Sequence, residues 1–101
     1  MIELGDLLEA MAPAGARLIG PPAATRFDGF AYDSRKLRPG ELFLAVRTGR
    51  ADGHDFIPDA IRRGATGVLG DRLEDQPLPG VTAISVHDVM SALRAWTRHV
   101  L

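Results

Sequence analysis

Five consecutive apolar residues, Leu42-Phe43-Leu44-Ala45-Val46, constrain this chain more than any other feature. A strand with no polar face has to be covered on both sides, the condition met by strands in sheets that carry helices above and below. The flanks agree with that reading. Arg38-Pro39-Gly40-Glu41 puts proline and glycine at the two central positions of a type II turn, where glycine accepts the positive φ that other residues resist. After the run, the glycine-containing stretch from Thr48 to His54 leads to a helix that Asp55 can cap, with Pro58 in its first turn and Gly64 at its close. Ile57, Ala60 and Ile61 give that helix one apolar side.

The remaining segments extend the pattern. Leu4, Leu7, Leu8 and Met11 keep the i, i+3, i+4, i+7 spacing of a helical face over about residues 3 to 12, and Pro13 with Gly15 ends it. A short strand is expected at Ala16 to Gly20, stopped by Pro21-Pro22. Alternation of Phe27, Gly29, Ala31 and Asp33 with Asp28, Phe30 and Tyr32 predicts one strand running to the Ser34 turn. Thr66 to Leu69 and Thr82 to Val86 read as buried strands on either side of a polar, proline-containing loop from Asp71 to Gly80. Val89, Leu93, Trp96 and Val100 form the stripe of a last helix that Asp88 can cap. Helices alternating with apolar strands predict an α/β fold, a small mixed sheet flanked by helices. A length of 101 residues allows one domain, residues 1–101, with about two thirds of the unfolded surface buried.

Several function classes are disfavoured by what the chain lacks. The formal charge is -1 with acids and bases interspersed, so there is no clustered basic face of the kind nucleic-acid binding requires. There are no cysteines, which excludes disulfides, thiolate metal sites and cysteine nucleophiles and fits a cytoplasmic location. The N-terminal MIELGDLLEAM carries acids where a signal peptide carries positive charge, and no apolar run approaches the ~20 residues needed to span a bilayer. The single lysine, Lys36, precedes Leu37, so no Walker-type phosphate loop exists. Gly64, Gly67 and Gly70 reproduce a G-x-x-G-x-x-G spacing, but the middle of it is the expected strand, whereas a dinucleotide fingerprint follows its strand. His54, His87 and His99 share no ligand spacing for a metal.

The positive signal lies between Tyr32 and Gly64, where strand, turn, strand, loop and helix follow without filler and build an edge suited to a phosphorylated or nucleotide ligand. Ser34 is a turn serine by its plainest reading, and a hydroxyl that donates and accepts can also read a base or sugar edge. No neighbouring histidine activates it as a nucleophile. Arg50, between Gly49 and Ala51, can grip phosphate through paired donors, with free loop N–H groups adding a fixed positive edge; a solvated arginine is the alternative. His54 with Asp52 or Asp55 could be an acid and base pair, against the plainer reading of loop polarity beside a helix start. His87-Asp88 reads as a strand-to-helix junction, and Arg62 and Arg63 as a solvated face.

Three stretches in one order, AYDSRKLRPGELFLAV, DGHDFIPDAIRRGATGVL and ISVHDVMSALRAW, resemble the N-terminal domain of the Mur ligases, over Phe27 to Trp96. The AYDSR and IPDAI-x-RG wording is closer to the MurE type than to the MurF type. The resemblance implies a domain that holds the uridine diphosphate end of a UDP-N-acetylmuramoyl peptide for an ATP-dependent amide-forming ligase of peptidoglycan synthesis, adding L-lysine or diaminopimelate. Carried over by position, the contacts are Tyr32 and Ser34 at the strand end and Gly49, Arg50 and Ala51 in the loop, with no catalytic or metal-binding residue in this stretch. Gly49 and Arg50 stand where the enterobacterial pattern has histidine and glutamine, which shifts weight toward backbone donors. The family's ATP and Mg2+ sites belong to central and C-terminal domains outside these 101 residues. A MurF-type D-Ala-D-Ala-adding domain and a stand-alone interaction or regulatory module are the alternatives; neither nucleic acid nor membrane is an expected partner.

Overall fold

The computed structural model describes residues 1–71, 73, 78 and 80–100, the last of these by its backbone. The elements in chain order are β1 (Ile2–Glu3), α1 (Leu4–Ala10), β2 (Arg17–Ile19), β3 (Arg26–Phe27), β4 (Phe30–Ala31), β5 (Leu42–Leu44), α2 (Ile57–Arg62), β6 (Gly67–Gly70), β7 (Thr82–Ser85) and α3 (Val89–Val100). Short 3-10 turns at Ala12–Ala14, Ser34–Lys36 and Gly53–Phe56 join several of them. Among the described residues, five strands make one sheet in the order β2-β7-β6-β5-β4. The contacts β4-β5, β5-β6 and β6-β7 are parallel and the β2 edge is antiparallel. This is the mixed α/β sheet that the sequence predicts.

The apolar run behaves as its composition requires. Leu42, Phe43 and Leu44 are all buried. Leu42 and Leu44 join Leu69 and Ile84 in a cluster with Leu4, Leu7 and Val89 of α1 and α3. Phe43 and Ala45 join Val68 and Ala83 in a second cluster under Ile57 and Ala60 of α2. Alternate residues of one strand thus feed opposite cores, and each fully buried Leu or Phe contributes about 1.5–3 kcal/mol. Gly67 faces Leu42 in the ladder, and a Cβ there would overlap the ring of Phe27. Its hydrogen is what lets that ring lie over the sheet. The Pro39-Gly40 turn forms as expected, with Gly40 at φ 89 and the Glu41 amide donating to the Arg38 carbonyl at 3.2 Å.

Two expectations need correction. The strand predicted from Phe27 to Asp33 is two strands in two sheets: β3 pairs with β1 in a separate two-stranded ribbon, and β4 pairs with β5. The chain steps across at Asp28 and Gly29, whose groups bond sideways; the Asp28 amide donates to Gly40 and the Gly29 carbonyl accepts from Leu42. Burial keeps alternating through the step, which is why alternation did not reveal it. The second correction concerns the α2 cap. Asp52, not Asp55, supplies a cap, and it caps the 3-10 turn that starts at Gly53, accepting from the His54 amide at 3.0 Å; α2 follows behind Phe56 with no side-chain cap bond of its own. At α3 the expected cap holds, since Asp88 accepts from the Ser91 amide at 2.9 Å. In the predicted Asp71 to Gly80 loop, residues 72, 74–77 and 79 lie outside the described residues, as do the side chain of Val100 in the last stripe and residue 101. Among the described residues no helix is long and apolar enough to cross a membrane.

Candidate functional site

In open α/β sheets the carboxyl ends of parallel strands form the natural ligand edge, because the loops that leave them diverge there. Here the ends of β4 and β5 open onto a cleft of about 480 Å3 between the Tyr32–Arg35 turn, the loop that leaves β5, and the start of α2. Tyr32 and Phe56 supply aromatic surface to it and are 70% and 46% exposed. Large apolar side chains held this open to solvent are candidate contact surfaces.

The turn wall is built by Asp33. Its carboxylate accepts from the Arg35 amide at 3.0 Å and from the Arg35 guanidinium at 3.1 and 3.0 Å. That fork holds the Asp33 carboxyl below its ordinary value and the Arg35 guanidinium above its own. The turn rotates Ser34 inward, where it is 4% exposed, and its hydroxyl faces Asp59 on α2, whose carboxyl it helps to lower. Asp59 also takes Arg62 at 2.6 Å and Arg63 at 2.9 Å. Arg62 first, then Ser34, pull its carboxyl down to about 2. Ser34 thus sits between the turn and α2 with a hydroxyl that can donate to or accept from a ligand. Arg62 and Arg63 are exposed, as expected of a solvated face, and both also pair with Asp59.

The opposite wall is a small hairpin. Arg47 and Asp52 pair across it, the Thr48 amide donates to the Ala51 carbonyl at 2.8 Å, and the Gly53 amide returns to the Val46 carbonyl at 2.8 Å. Gly53 is required for that return, since a Cβ would sit 2.6 Å from the Val46 nitrogen and 2.7 Å from its oxygen. The Thr48 hydroxyl accepts from the Arg50 and Ala51 amides at 3.3 and 3.1 Å. This corrects the expectation of free loop N–H groups: at those two positions they are consumed inside the turn by a serine/threonine-type bond. The guanidinium of Arg50 stays exposed, with no ion pair among the described residues.

Of the five residues singled out from sequence, Tyr32, Ser34 and Ala51 line the cleft together, while Gly49 and Arg50 form the tip of the hairpin beside it. Phe56, Asp59 and Thr48 were missed. Phe56 carried a usable signal, an aromatic lying off the Ile57, Ala60, Ile61 stripe at a helix entrance; Thr48 and Asp59 carried none beyond polarity. His54 is not an exposed acid and base pair. Its side chain is 10% exposed, with Nδ1 2.7 Å from Asp52 and Nε2 accepting the Asp71 amide at 3.1 Å. His87 lies at the β7-α3 junction as expected, with its ring over Gly15.

Lys36 lies in the 3-10 turn beside β4 and is followed by Leu37, Gly67 and Gly70 are the ends of β6 itself, and among the described residues no group of three or more His, Asp or Glu side chains could hold a metal ion.

Comparison with known proteins fits this geometry. The family profile described as Mur ligase family, catalytic domain, matches residues 26–100. The chain is 36% identical over 90 residues to the UDP-N-acetylmuramoyl-L-alanyl-D-glutamate--2,6-diaminopimelate ligase of Bacteroides thetaiotaomicron, covering 89% of this chain and 18% of that protein. It is 35% identical over 95 residues to the UDP-N-acetylmuramoyl-tripeptide--D-alanyl-D-alanine ligase of Treponema pallidum, covering 82% of this chain and 20% of that one. A crystal structure of MurF from Acinetobacter baumannii superimposes with a TM-score of 0.76 over 96% of this chain and 20% of its own, at 21% identity, a likeness of fold. The chain thus spans about a fifth of the length of the relatives it matches.

Proposed function

This chain belongs to the Mur ligase family, and we propose that it is the domain that grips the uridine diphosphate end of a UDP-N-acetylmuramoyl peptide. The observation that carries the reading is the cleft at the ends of β4 and β5, lined by two exposed aromatics, Tyr32 and Phe56, and by Ser34. Tyr32 and Phe56 offer faces on which a pyrimidine stacks, a contact worth about 1–3 kcal/mol per base. Ser34, beside Asp59, offers a hydroxyl that both donates and accepts, so it can meet the imide N–H or a carbonyl of uracil. Ala51 bounds the ring on the hairpin side, while Gly49 lets the tip approach. Arg50 supplies the unpaired guanidinium for the diphosphate, with the remaining donors of Arg35 as a second cation.

In this reading the chain positions a substrate and does no bond-making itself. The ATP-consuming amide synthesis, with its magnesium, belongs to further domains of a cytoplasmic ligase. The names of the relatives favour addition of diaminopimelate to a dipeptide precursor; addition of L-lysine is the alternative within that ligase type. Addition of D-alanyl-D-alanine to a tripeptide precursor is the second reading, supported by the 35% identity to the Treponema enzyme.

Titration of the chain with UDP-N-acetylmuramoyl dipeptide, followed by amide chemical shifts, tests the site. Shifts are expected at Tyr32, Ser34 and Thr48 to Gly53, with weak affinity. Spectra unchanged at millimolar ligand would remove the assignment. Assay of an intact enzyme with dipeptide against tripeptide precursor separates the two ligase types.

A further inference from the structure

His54 touches none of the cleft, yet its ring joins the three segments that shape the hairpin wall. On one side Nδ1 meets Asp52, the residue that pairs with Arg47 across the hairpin and starts the 3-10 turn. On the other, Nε2 accepts the backbone amide of Asp71 just past β6. Nε2 also lies 3.1 Å from the Asp71 Oδ1; the bond from the Asp71 amide selects the neutral ring with its proton on Nδ1, which then donates to Asp52. Gly70 makes the approach possible, as a Cβ there would lie 2.8 Å from Nε2. Arg47 closes the circuit by pairing with the Asp71 carboxylate.

We propose that His54 is a positioning residue, a neutral two-sided clasp that fixes the Arg47–Gly53 hairpin to the end of β6 and thereby sets how tightly the cleft holds a uridine diphosphate group. This rests on the assignment of the cleft made above. The charged groups facing the ring are Asp52 and Asp55 from its own turn, Arg47 from the hairpin and Asp71 from the β6 end. Burial, the largest influence, pulls the imidazole below its ordinary value against the raising effect of Asp71, so the clasp is neutral at physiological pH. Without it the hairpin keeps its internal bonds and the Arg47–Asp71 pair but loses the ring's bond to the Asp71 amide.

The two nitrogens can be separated by substitution in the full chain, with UDP as the probe. His54→Asn keeps a donor at the δ position and loses the acceptor at ε, whereas His54→Gln returns an acceptor to the ε position. The expected result is a UDP affinity weakened about tenfold in His54→Asn, the effect of one lost buried hydrogen bond, and recovered to within about threefold of the parent in His54→Gln. Hydrogen exchange at the Asp71 and Gly53 amides should accelerate in the Asn variant and recover in the Gln variant, and the ring nitrogens of the parent should show the Nδ1–H tautomer. Equal affinity in parent and Asn variant, both folded, overturns the proposal. So does a loss that the Gln variant shares in full, which marks His54 as packing alone. If the parent itself binds no UDP, the cleft assignment falls, and hydrogen exchange alone then judges the clasp; unchanged exchange at Asp71 overturns it.

Discussion

Adding one methyl group at Gly53 should open the hairpin wall of the cleft while leaving the fold in place. Gly53 does not have a positive φ, so the backbone itself tolerates alanine and the whole cost is contact. That contact is with main chain: the new Cβ would lie 2.6 and 2.7 Å from the Val46 nitrogen and oxygen and 3.0 Å from the Ala45 carbonyl carbon. Backbone of a buried strand end cannot swing aside as a side chain does, so the returning limb has to move out. Overpacking of this kind costs about 1–3 kcal/mol, and the displaced limb loses the 2.8 Å bond from the Gly53 amide to Val46, worth about 1 kcal/mol. Against this stands a gain of about 0.4–1 kcal/mol from a stiffer unfolded chain. The net is a destabilisation of about 2 kcal/mol, which lowers Tm by about 8–16 °C in a domain of this size. Gly49 is the internal control. It lies in the same hairpin, also without a positive φ, and a Cβ there meets nothing within 4 Å, so Gly49→Ala should leave stability unchanged or slightly raised. Urea unfolding of the parent and both variants gives the comparison. A Gly53→Ala variant as stable as Gly49→Ala would refute the claim that contact with Val46 sets the hairpin.

Other expectations follow from single contacts. Thr82 is fully buried and both donates to and accepts from Ala24, at 2.6 and 2.8 Å; Thr82→Val keeps the shape, loses both bonds, and should cost about 2 kcal/mol in urea titration, whereas Thr82→Ser retains them. The Asp59 carboxyl, drawn from 3.8 down to about 2 by Arg62 and Ser34, favours the folded state above pH 3.8. That contribution disappears as pH falls through about 2; an NMR titration of Asp59 should show its midpoint rising in Arg62→Gln and, less strongly, in Ser34→Ala. Phe30 meets Trp96 edge-on at 5.3 Å, so Phe30→Ala should cost about 0.5–1.5 kcal/mol for the ring pair and shift the tryptophan emission.

The parts of the fold legible in sequence were those set by period and by backbone necessity. Leu42 to Leu44 announced a strand covered on both faces because no polar alternative existed, and Pro39-Gly40 announced its turn because few residues accept that φ. What could not be read was partnership. Nothing in the alternation from Phe27 to Asp33 distinguishes one strand from two that join different sheets, since burial alternates either way. Asp52 and Asp55 are equal as caps on paper, and only the 3-10 entry decides between them. The cleft shows the same division. Ser34 and the glycine hairpin were visible as a site, but the hydroxyl of Thr48 that takes two of the hairpin amides, and the carboxylate of Asp59 that gathers Arg62 and Arg63, depend on contacts that spacing does not encode.

The central sheet also acts as a partition. Leu42 and Phe43 are bonded neighbours, yet their side chains belong to cores that lie on opposite sides of a layer of hydrogen-bonded backbone. Volume changes separated in that way tend to combine independently, while those within one core do not. The face beneath α2, which carries Asp59 and Phe56, can therefore drift in composition to suit a ligand without compensation from α1 and α3. Substitutions at chain neighbours such as Leu42 and Phe43 should therefore add independently, whereas those at distant residues that share a core, such as Phe43 and Ala83, should couple.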